Sequence, residues 1–120
     1  MQIAAAVMVT IVAGLHACFL VVEMFLWRTP FGRRTFGTTQ EVADSSAVLA
    51  ANQGLYNGFL AAGLLWALVG YGIVPGRAIL TFVLACVIVA GLYGGATVSR
   101  RILLVQSLPA ALALALVWLS

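Results

Sequence analysis

Four runs of apolar sequence, each near the length a helix needs to cross a bilayer, leave this chain few ways to fold. Spanning about 30 Å of hydrocarbon takes about 20 helical residues. The runs lie at about 3–27, 47–69, 77–96 and 102–119. In lipid, helices are the only open-chain way to satisfy backbone polar groups. The stretch RTPFGRRTFGTTQEVADSS separates the first two runs and holds most of the charge; GYGIVPG and TVSRR separate the others. Of the 120 residues, 64% are hydrophobic and 8% charged. A soluble domain carries roughly 25% charged residues, so this chain cannot cover itself with polar surface in water. The expected fold is all-α, a single integral-membrane domain over 1–120 in which four transmembrane helices form a bundle. The first run lacks a basic leader, is too long for a signal-peptide core and contains Glu23, so it reads as a retained span. Pro109, inside the fourth run, predicts a kink.

The arginines orient the bundle. Arg28, Arg33 and Arg34 lie in loop 1–2, Arg100 and Arg101 in loop 3–4, and only Arg77 in loop 2–3. Positive charge favours the cytoplasmic side. Loops 1–2 and 3–4 are therefore expected in the cytoplasm and both termini outside it, in a multi-pass protein of a bacterial inner membrane. Trp27 and Trp118 fall where interfacial aromatic belts belong. Membrane lipid is thus an expected partner, and nucleic acid is not, given so few charges.

Metal and nucleophile chemistry find little support. Cys18 and Cys86 lie in apolar runs without metal-ligand spacing and read as buried free thiols. His16 is the sole histidine and Glu23 the sole carboxylate in the spans, so no metal site is expected. Asp44 is in a loop while His16 is deep, which assembles no Ser–His–Asp set. Small residues recur at helical spacing: Gly54, Gly58 and Ala62 on span two, and Gly91 and Gly95 with Ala90 and Gly94 on span three. They permit close helix approach, within a protomer or between protomers.

The polar residues of the spans fall at one depth. A helix rises about 1.5 Å per residue, so Glu23, four residues before Trp27, lies about 6 Å inside the inner end of span one. Asn52, Gln53, Tyr56 and Asn57 enter span two from that same side, and Asn52–Tyr56 and Gln53–Asn57 are i,i+4 pairs expected on one face. Tyr93 and Thr97 end span three there, and Gln106 and Ser107 begin span four. Two readings stand for this level in the cytoplasmic leaflet. One is interhelical hydrogen-bond glue, at about 0.6 kcal/mol per contact. The other is a ligand site lined by Glu23, Asn52, Gln53, Tyr56, Asn57, Tyr93 and Gln106, with Arg100 and Arg101 at its mouth. Glu23 is either a protonatable or ligand-orienting carboxylate or the partner of Arg100 or Arg101 in a structural latch.

The strings HACFLVVEMFLWRTPFGRRTFG and ANQGLYNGFLAAGLLW resemble a family of small four-span membrane proteins, domain of unknown function 1304, over essentially the whole chain. That likeness brings no activity. More distantly, the layout resembles the membrane-associated proteins in eicosanoid and glutathione metabolism. SRRILLVQSLPAALALA looks like their fourth span, with Arg100 or Arg101, Gln106 and Pro109 in similar places; Asn52 and Tyr93 match polar positions of their spans two and three. This implies a homotrimer with sites between subunits in the cytoplasmic leaflet. The residues before Asn52 read AVLAA, without the arginines that hold glutathione's carboxylates in that family, so glutathione is disfavoured as a cofactor. Three functions follow as expectations: a protein binding a small or amphiphilic molecule at the polar level; a membrane enzyme of glutathione or lipid-hydroperoxide chemistry; or a minimal proton-coupled transporter using Glu23. A transport site belongs near mid-bilayer, which disfavours the third.

Overall fold

The computed structural model describes Met1–Ser120 and is helical throughout, with no strand. Helix α1 runs Gln2–Leu26, its last turn Val22–Leu26 wound as π-helix. Helix α2 is Pro30–Phe36, α3 is Gln40–Gly70 and α4 is Arg77–Thr97. Helix α5 runs Arg100–Trp118 and contains a second π-helical turn, Leu103–Ser107. By length and composition α1, α4 and α5 can cross a membrane. Helix α3, at 31 residues the longest, is not among them, and Asn52, Gln53, Tyr56 and Asn57 interrupt its apolar character.

The polar stretch expected as a loop is largely helical. Thr29, held extended before Pro30, caps α2 by accepting from the Gly32 amide at 3.2 Å, and Gly37 at φ 66° ends it. Thr39 then accepts from the Val42 amide, and Gln40 donates to Asp44 one turn on at 2.8 Å, which starts α3 seven residues before the expected span. Polar residues with capping partners make a surface helix as readily as a loop.

Pro109 acts through the π turn. Lacking an N–H, it cannot bond back to Val105, and its ring crowds that carbonyl. The chain widens just ahead of it, where the Leu108 amide reaches Leu103 five residues back.

Contacts divide the chain into two compact units, Met1–Gly14 with Leu60–Ser120, and Leu15–Phe59. The first holds the apolar core. Val9 and Val12 of α1, Leu64 and Ala67 of α3, Leu80, Leu84 and Val87 of α4, and Ala113 and Val117 of α5 are all buried there. Close approach of α4 to α5 is made possible by glycine: a Cβ on Gly91, Gly94 or Gly95 would meet Ser107, Ile102 or Leu103. The small-residue stripe of span three thus serves packing inside the protomer. Near the start of α4, the Arg77 guanidinium stacks 5.0 Å from the Trp118 ring centroid and donates to the Ser120 carbonyl at 3.2 Å. The indole Nε1 of Trp118 donates to Thr81 Oγ1 at 3.0 Å. Arg77→Ala is expected to cost about 1–2 kcal/mol, seen as a lowered Tm in detergent, and Arg77→Lys to restore only part of it, since lysine lacks the planar fork.

The two cysteines are free, but Cys18 is exposed on α1 and Cys86 half-buried. Both were expected to be buried. Exposed apolar surface is ordinary on helices long and apolar enough to cross a membrane.

Candidate functional site

The Leu15–Phe59 unit contains the end of α1, all of α2 and the first twenty residues of α3. Two glycines of α3 set its geometry. A Cβ on Gly54 would lie 2.9 Å from Met24 Cγ and 3.0 Å from Glu23 Cβ; one on Gly58 would strike Leu20 Cδ1. Helix α1 therefore runs tight against this side of α3, and the side chain one turn from Gly54 on the same flank is Asn57. Its Nδ2 donates to Glu23 Oε1 at 2.6 Å. Asn57 is 7% exposed and Glu23 2%. The Gln53 side chain is a second hydrogen-bonding neighbour of the carboxylate. The partners of Glu23 in this unit are thus amides, and no guanidinium is among them.

Glu23 sits in the π turn Val22–Leu26. A π turn inserts an extra residue into the helix and turns the side chains that follow, and such turns gather at functional sites. Nothing in VEMFL marks it in advance. Beyond it, α2 is clamped to the end of α1. Thr29 Oγ1 donates to the Leu26 carbonyl at 2.6 Å, and the buried Gly32 packs its backbone where a Cβ would collide with the Leu26 and Trp27 carbonyls. Trp27 packs against Phe36, the rings tilted by 49° with centroids 5.1 Å apart, and donates from Nε1 to Ser46 Oγ at 3.1 Å. These contacts frame an open cleft of about 510 Å³ lined by Glu23, Met24, Phe25, Trp27, Arg28 and Thr29 with Ala47, Val48 and Ala51. Of these residues, only Arg28 from loop 1–2 brings a positive charge.

Two of the other polar residues of span two, Asn52 and Tyr56, point elsewhere. Both are exposed, and Tyr56 makes an edge-to-face contact with Phe59 at 5.7 Å; Gln53 is exposed too, but its side chain reaches Glu23. The expected single polar face is therefore split: Asn57 is directed to Glu23, while Asn52 and Tyr56 lie on the flank away from the glycines. His16 is fully buried, its ring edge-on to Phe19 at 5.3 Å, as a packed polar residue would be.

Tyr93, Arg100, Arg101 and Gln106 belong to the other unit. Tyr93 is 73% exposed, both arginines are exposed and Gln106 is half-buried. Ser99 caps the start of α5 by accepting from the Arg101 amide at 3.2 Å. Ser107, buried in the second π turn, donates to the Ile88 carbonyl at 2.8 Å beside Gly91.

Residues 10–118 match the family model described as Protein of unknown function (DUF1304). The chain belongs to this DUF1304 family. No curated protein and no solved structure matches it. Membership covers the Glu23–Asn57 pair, the cleft and both π turns, all of which lie within the matched residues, and it carries no activity with it.

Proposed function

We propose that this DUF1304 protein spans the membrane four times and binds a small or amphiphilic molecule at Glu23 and the adjoining cleft, in the cytoplasmic leaflet. The observation that carries this reading is a buried carboxylate held by the Asn57 amide beside an open cleft lined by Phe25, Trp27 and Arg28. An ionisable group within a membrane helix is costly, and such groups serve sites more often than packing. Helix α3 serves as the remaining span, with Asn57 buried against α1 and Asn52 and Tyr56 exposed. Five arginines in loops 1–2 and 3–4 against Arg77 alone in loop 2–3 support the sidedness. Exposed Asn52, Tyr56 and Tyr93 favour contact with further copies of the chain, a trimer being the assembly to look for.

Native mass spectrometry of protein extracted in mild detergent is the test. The wild type is expected to carry a bound molecule, and Ala51→Phe, which fills the cleft, to lose it while the helical circular dichroism and the oligomer persist. Glu23→Gln keeps the shape of the side chain and an acceptor for Asn57, and is expected to weaken retention about tenfold, the effect of roughly 1.4 kcal/mol from one charged contact. A wild type without any adduct, or an adduct indifferent to Ala51→Phe, refutes the site.

A further inference from the structure

The lining of the cleft combines an apolar set with one guanidinium, and that combination names a class of occupant. Met24, Phe25, Val48 and Ala51 form an apolar wall, and Arg28, two residues before α2 in the chain, also lines the cleft. Phe25 is 70% and Val48 84% exposed, so the wall is open to the side, as a surface for an acyl chain would be, rather than enclosed. Helix α2 brings Arg33 and Arg34 in its last turn. It holds them at a fixed place, because Gly32 is locked under the Leu26 and Trp27 carbonyls and Arg33 Nε donates to the Arg28 carbonyl at 3.4 Å.

One acidic group of the unit, Glu23, lines the cleft together with Arg28. Glu23 is 2% exposed and its Oε1 is taken by the Asn57 amide, Asp44 is engaged by Gln40, and neither Glu41 nor Asp44 lines the cleft. Trp27 marks the depth, since an indole at the end of a membrane helix sits at the headgroup level. An arginine beside it stands where phosphates are, with the apolar wall running below it toward the hydrocarbon.

We infer that the cleft holds an anionic phospholipid, one acyl chain along Met24, Phe25, Val48 and Ala51 and its phosphate on the Arg28 guanidinium. This rests on the proposed site and gives its ligand class. Arg28 acts as the headgroup selector. Arg34, exposed and outside the lining, adds only to the general surface potential.

Trp27 lines the cleft and can report its occupant. In Trp66→Phe/Trp118→Phe protein it is the sole indole, since the chain has three tryptophans. That protein would be placed in phosphatidylcholine vesicles containing equal fractions of chain-brominated phosphatidylglycerol or chain-brominated phosphatidylcholine. Bromine quenches indole on contact. The expected result is about fivefold preference of the Trp27 site for phosphatidylglycerol, the equivalent of about 1 kcal/mol for one arginine at an anionic headgroup. Arg28→Gln should abolish the preference and Arg34→Gln retain it, with helical circular dichroism unchanged in both. Equal quenching by the two lipids overturns the inference, as does equal loss in Arg28→Gln and Arg34→Gln, which would show diffuse attraction to the surface. The two readings fail separately. If Ala51→Phe still expels a bound molecule but the lipids quench equally, only the lipid class is wrong; if Ala51→Phe changes nothing, the site itself is.

Discussion

Replacing Gly91 with leucine is expected to force α4 and α5 apart and to be the most destabilising single change in the unit formed by Met1–Gly14 and Leu60–Ser120. A Cβ at this position would strike Ser107 Oγ and lie 2.8 Å from the Ser107 backbone nitrogen. Backbone cannot rotate away as the end of a side chain can. Overpacking of this kind costs about 1–3 kcal/mol, occasionally more, and here a second loss is added. Ser107 donates to the Ile88 carbonyl at 2.8 Å, a contact that needs the same close approach, and removing it strands a buried hydroxyl at about 1–3 kcal/mol. Thermal unfolding in detergent should show Gly91→Leu far below wild type. Gly14→Leu supplies the control, because nothing lies within 4 Å of a Cβ there; its Tm should stay within a degree or two or rise, as expected for glycine removed from an open helix position. Comparable losses at both positions would mean that bulk in any span, rather than the α4–α5 contact, is what the protein rejects.

Some of this contact is legible in the sequence. Gly91, Gly94 and Gly95 recur at helical spacing, and the apolar run after Pro75 and Gly76 ends close to where α4 ends, at Thr97. Apolar runs delimit helices well when Pro, Gly or Arg closes them. The beginning of α3 was hidden for the converse reason: QEVADSS looks like loop by polarity, yet its capping and i,i+4 partners are all local and make a helix. Of the two π turns, the second has a cause in the sequence, Pro109 and its missing donor, whereas VEMFL has none.

The polar face of span two shows where one-dimensional spacing stops. Asn52, Gln53, Tyr56 and Asn57 form neighbouring i,i+4 pairs, but successive residues are turned by about 100°, so the set wraps well over a third of the helix. Which edge meets α1 is decided by packing. The signal was present in Gly54 and Gly58: they mark the side of close approach, and Asn57 lies about 60° from Gly54 while Asn52 lies about 160° away. Weighing the glycines with the amides would have selected Asn57 as the partner of Glu23 and left Asn52 and Tyr56 facing outward.

The Glu23–Asn57 pair allows glue and site to be told apart. Asn57→Leu removes the 2.6 Å donor from a carboxylate that is 2% exposed. A carboxylate left without its donor in such surroundings costs about 3–5 kcal/mol when charged, the largest loss expected in this unit. Gln53, the second neighbour, limits the damage but cannot replace a contact made from the buried flank. Substituting both partners, as Glu23→Leu/Asn57→Leu, removes the orphaned group together with its cause, and exchanging both members of a buried polar pair for apolar groups can be nearly neutral. The double variant should therefore be more stable than Asn57→Leu alone, by about 1 kcal/mol or more in a double-mutant cycle. Ligand retention must then move differently from stability. If the pair is only glue, the double variant regains both its Tm and any bound molecule. If Glu23 belongs to a site, the double variant regains its Tm and stays empty, because the carboxylate that the cleft was built around is gone.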